Sequence, residues 1–117
     1  MNNEEIITVD FIIGTMQKYV ESKTPIPPSM WLDAAAKLNV LLGEEHDKLF
    51  DLESTLAQMR TAHIEEGKNG VVMKALVEAT PEYNEMRKQK GKISRIEEFI
   101  RIAKLTARTT NEEIRGY

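Results

Sequence analysis

The chain has 117 residues, 41% hydrophobic and 30% charged, with a net charge of −3 and no cysteine. That length fits one domain able to bury a modest core without disulfides or a structural metal, and the missing thiols exclude disulfides, thiolate metal sites and any need for an oxidising compartment. The charge is uneven, acidic on balance over residues 30 to 66 and basic over 67 to 117, so two segments folded antiparallel would neutralise one another, which weakens the case for a nucleic-acid surface.

The opening MNNEEIITVDFIIG sets acids ahead of its apolar residues and has no basic leader, which is not the pattern of a secretory signal. No apolar run approaches the roughly 18 residues of a membrane span. The expectation is a soluble intracellular protein with no membrane partner. A first helix is predicted over about 3–22, where Ile6, Val9, Ile13, Met16 and Val20 recur at intervals of three and four, widened by Ile12 and Tyr19. Gly14 and several β-branched residues lower its intrinsic propensity, so it depends on packing. Residues 23–29 then hold three prolines, which exclude a helix and predict a stiff, extended joint.

The second pattern is the strongest. Trp31, Ala35, Leu38, Leu42, Glu45, Leu49, Leu52, Leu56, Met59 and His63 advance by four and three in strict alternation, a heptad seam that predicts a coiled-coil-like helix over about 30–66. Ser29 reads as its N-cap and Gly67 as its C-terminal stop. GKNG at 67–70 reads as a chain-reversing turn, because glycine and asparagine tolerate left-handed backbone.

A kinked helix is predicted over about 71–107, through Val71, Val72, Leu76, Ala79, Tyr83, Met86, Ile93, Ile96, Ile100 and Ala103. Pro81 removes an amide donor, so a kink or short break belongs there, with Thr80 capping the helical segment beyond it. Folding about the turn sets Leu42 against Ile96, Leu38 against Ile100, Ala35 against Ala103 and Leu52 against Met86. Glu45 interrupts the seam near Ile93, within reach of Lys90 or Lys92, where a polar seam residue fixes register. The stripe formed by Trp31, Leu38, Leu41, Leu42, Ile96, Phe99, Ile102 and Leu105 is too wide for two helices, which predicts that the N-terminal helix packs at this base. The tail, 108–117, has little periodicity and is expected to be loose or docked by Ile114 and Tyr117.

No enzymatic constellation emerges, and no catalytic residue, cofactor or metal ligand is assigned. GKNG lacks phosphate-loop spacing. The residues three before His46 and His63 are Gly43 and Arg60, which rules out di-iron Glu-x-x-His pairs. Glu44/Asp47 and Glu82/Glu85 have the spacing of magnesium-holding pairs in helical nucleotide hydrolases, but they fall at different heights of the hairpin. The informative surplus is apolar: His63, Ile64, Val71, Val72, Met73, Leu76 and Val77 crowd the turn, more than two helices can bury, which predicts self-association or a protein partner there. The alternative is a DNA-associated accessory protein using the basic residues Lys88, Lys90, Lys92, Arg95 and Arg101, though no aromatic residue lies among them to stack bases.

The stretches DAAAKLNVLLGEEHDKLFDLE, VEATPEYNEMRKQK and ISRIEEFIRIAK resemble those of small helical proteins of tailed bacteriophages, over roughly residues 31 to 104. Those proteins carry no assigned activity, so the resemblance implies a viral source, in the cytoplasm of an infected bacterial host or in the virion, and contributes no site. The sequence therefore predicts an all-α protein, a long antiparallel helical hairpin with a shorter N-terminal helix, acting as a non-enzymatic interaction or assembly module.

Overall fold

The starts of all four described helices, and the ends of the first three, have local chemical causes. The computed structural model describes residues 8–115, with side chains through residue 112. Residues 3–7 of the predicted first helix, with Ile6, and the docking side chains Ile114 and Tyr117 lie outside the described residues. Helix α1 spans Val9–Glu21. Thr8 caps it, its hydroxyl accepting the Phe11 amide at 3.1 Å, and Asp10 and Lys18 sit at the ends where their charges oppose the helix dipole. At its far end the Lys23 amide donates to the Val20 carbonyl (3.1 Å) and the Thr24 amide to that of Tyr19 (2.9 Å). This closing turn places Lys23 at φ 56°, left-handed backbone that glycine usually occupies.

Helix α2, Pro28–Glu65, is 38 residues long. It begins one residue before the expected cap Ser29: the Pro27 carbonyl accepts the amides of Met30 (3.0 Å) and Trp31 (3.4 Å). Pro28 suits the first helical position, since its missing amide would have no partner there anyway. The helix stops at Gly67 as predicted. With φ 84°, this glycine lets its own amide reach the Ile64 carbonyl at 2.9 Å and the Lys68 amide reach that of His63 at 3.2 Å.

The second half of the chain is two helices, so of the kink or short break expected at Pro81 it is the break that forms. Helix α3, Gly70–Glu78, is capped by Asn69, whose side chain accepts the Val72 amide at 2.9 Å. Thr80 ends one helix and starts the next: its hydroxyl donates to the Val77 carbonyl (2.7 Å) and accepts the Tyr83 amide (3.2 Å). Helix α4, Pro81–Arg115, then runs through most of the tail expected to be irregular. That segment lacks strong apolar periodicity, but it contains no proline or glycine before Gly116 and continues directly from the buried Ala103 and Ala107, so nothing stops the helix earlier.

The chain divides into two compact units, residues 1–42 with 95–117 and residues 43–94. In the first, α1 packs on the beginning of α2 and the end of α4 through Val9, Ile12 and Met16, which meet Ala34, Ala35, Leu38, Ile96, Ile100 and Ala103. The alanines keep the helix surfaces low enough for a third helix to approach. Trp31 packs at the edge of this cluster with its ring centroid 6.2 Å from that of Phe99. The buried face of α1 is centred on Ile12, so Val20, predicted on the stripe, is exposed, as are Ile102 and Leu105 of α4. In the second unit Leu56, Val77 and Met86 form a smaller core, joined by Leu49, Leu52, Met59, Met73 and Tyr83.

Helices α2 and α4 pair antiparallel. Leu38 and Ile100, Ala35 and Ala103, and Leu42 and Ile96 share the first cluster, while Leu52 and Met86 share the second. The fold is all-α, the predicted antiparallel helical hairpin with a shorter N-terminal helix packed against it. Every residue of the heptad seam from Trp31 to His63 is buried or half-buried.

Candidate functional site

The apolar surplus around the turn separates into two sets once α3 is a helix of its own. Residues four apart share a helix face, and Met73 and Val77 turn inward onto Leu56 and Met86, so Val77, at 1% exposure, belongs to the core and not to the surface. Ile64 at the end of α2 and Val71, Val72 and Leu76 on α3 stay exposed, Val71 at 82%. A short helix must turn one side away from its core, and here that side carries aliphatic residues. Ile64, Val71, Val72 and Leu76 thus remain the candidate contact residues, while Met73 is half-buried against the core.

The basic candidates do not form one surface. Lys92 is spent internally, donating to Glu45 Oε1 at 2.9 Å. Arg101 is held by Glu98, with Nη2 to Oε1 at 2.6 Å and Nε to Oε2 at 3.0 Å, and these hydrogen bonds hold the Glu98 carboxyl below its ordinary range. Lys88, Lys90 and Arg95 are exposed. At 100° per residue Lys88, Lys92 and Arg95 share one side of α4 while Lys90 and Arg101 lie on the other, so the run does not present a continuous phosphate track.

Glu45 is the one charged residue buried among the described residues. The Gln89 amide donates both to its main-chain carbonyl (2.8 Å) and to Oε2 (3.1 Å), and Lys48 and Lys92 donate to Oε1 at 3.1 and 2.9 Å. Burial pushes the carboxyl up, but the hydrogen bonds of Gln89, Lys92 and Lys48 together outweigh it and hold the pKa at about 2. Lys92 is the predicted partner, and Lys90 is not. Gln89 was not foreseen, although its place three residues after Met86 and four before Ile93 puts it on the α4 seam opposite Glu45. The Glu44/Asp47 and Glu82/Glu85 pairs do not converge: among the described residues no group of three or more His, Asp or Glu side chains could hold a metal ion. No described helix is long and apolar enough to cross a membrane.

Comparison with known proteins returned no matching family model, no matching curated protein and no matching solved structure.

Proposed function

We propose that the chain is a non-enzymatic helical interaction or assembly protein that associates through the exposed apolar surface of α3 and the end of α2. The observation that supports this is the exposure of Ile64, Val71, Val72 and Leu76 beside a core that closes without them. Aliphatic side chains grouped this way are removed from water by a protein partner or a second copy, and burial drives that association without help from charge. The resemblance to helical proteins of tailed bacteriophages supports a viral source, and with it a virion component or a factor in the host cytoplasm.

Light scattering tests the proposal. The wild-type chain is expected to form a defined oligomer or complex whose mass is unchanged between low and high salt, and Val71→Lys with Leu76→Lys is expected to abolish it while helicity is retained. A wild-type monomer that gains mass with duplex DNA only at low salt would instead favour the DNA-associated reading, since counterion release makes such binding steeply salt-dependent.

A further inference from the structure

Three helices of the second unit each place one cation around the same cleft: Arg60 from α2, Lys74 from α3 and Lys90 from α4. All three are exposed, and none is ion-paired among the described residues. The cleft measures about 430 Å³, and its floor is Met73, Tyr83 and the edges of the core residues Val77 and Met86. Two methionines on one floor give an adaptable surface for aliphatic side chains of varied shape. Glu78 is the only acidic group in the lining, and the Tyr83 hydroxyl donates to it at 3.5 Å.

We propose that this cleft receives an acidic amphipathic segment of a protein partner, with its aliphatic side chains on the methionine floor and its carboxylates on Arg60, Lys74 and Lys90. An apolar floor with a charged rim is the arrangement that takes up one face of a helix and selects it by charge. A nucleic-acid strand fits less well: Tyr83 is the only ring in the lining and is half-buried among Met73, Val77 and Met86, so successive bases find no stacking platform. The site is distinct from the surface proposed for assembly, because Val71, Val72 and Leu76 are not among the residues that line the cleft. Either surface could fail without the other.

The test is fluorescence anisotropy with a fluorescein-labelled peptide in which leucines recur at helical spacing and glutamates fill the positions between. Two further probes are the same peptide with lysines for glutamates and a labelled single-stranded oligonucleotide. Binding is expected for the glutamate peptide alone, weakening as salt rises and at least about tenfold weaker in Lys74→Glu with Lys90→Glu. Both changes are at exposed positions, and circular dichroism confirms that the helices remain. Val71→Gln with Leu76→Gln, which removes the apolar assembly surface without adding charge, is expected to leave peptide affinity unchanged. No binding of the glutamate peptide, equal binding of both peptides, or no loss in the charge-reversed variant overturns the proposal, and preferential binding of the oligonucleotide replaces the protein partner with a nucleic acid.

Discussion

At the scale of single residues, Glu45 and Lys23 both break a local preference and are held by their surroundings. A buried carboxylate is costly unless its lone pairs are filled, and Gln89, Lys48 and Lys92 fill those of Glu45. Its folded pKa of about 2 lies below the ordinary 4.5, so the unfolded chain binds this proton more readily. The ionised network therefore stabilises the fold fully above about pH 4.5 and loses that contribution as pH falls towards 2. The difference corresponds to roughly 3 kcal/mol. Glu45→Gln is expected to be less stable than wild type by about that amount at neutral pH in guanidinium denaturation, with the gap closing as pH is lowered to about 3 and below. A gap that does not change with pH would mean that the carboxylate is not the stabilising form.

At the scale of elements, the helices are set as much by their ends as by their faces. The C-terminal turns of α1 and α2 share one hydrogen-bond pattern, and each needs one left-handed residue. One uses Gly67, the other Lys23. A Cβ in left-handed backbone costs about 1–2 kcal/mol, whereas glycine loses more freedom on folding, by about 0.4–1 kcal/mol. Lys23→Gly is therefore expected to stabilise the protein by roughly 0.5 kcal/mol, and Gly67→Ala to destabilise it by about 1 kcal/mol. Space is not at issue, since a Cβ at Gly67 would meet nothing within 4 Å. Thermal denaturation of the two variants reads both signs. The break at Ala79 and Thr80 is a further end effect: Thr80 satisfies groups on both sides of it, so α3 can turn Met73 and Val77 inward while α4 starts afresh at Pro81.

At the scale of the whole molecule, the apolar residues fall into two clusters with no member in common. Leu38 and Leu56 are fully buried, one in each. Either truncation to alanine leaves a cavity and is expected to cost about 2–5 kcal/mol. Because they share no partner, the double variant is expected to lose the sum of the two effects within about 0.5 kcal/mol, as measured by chemical denaturation. Coupling beyond that would show that the two units respond as one. Phe50, 70% exposed on the same helix, is the control, and its replacement by serine is expected to change stability by no more than about 0.5 kcal/mol.

The heptad seam determined the length of α2, the inward face of both long helices and their antiparallel pairing, because side-chain periodicity states which face a helix must hide from water. Gly67, Thr80 and the prolines marked the chain breaks for the same local reason, since backbone conformation and amide satisfaction are settled within a few residues. The rest was decided in three dimensions. Periodicity gives a stripe but not the angle at which a third helix meets it, so only packing could centre α1 on Ile12 and leave Val20 in solvent. Nor does it say which of several lysines reaches a buried carboxylate, which depends on the facing helix and selected Gln89 and Lys92 over Lys90. The cleft of Arg60, Lys74 and Lys90 is made of residues distant in sequence and scattered among unlike neighbours, so their common site exists only once three separate helices have met.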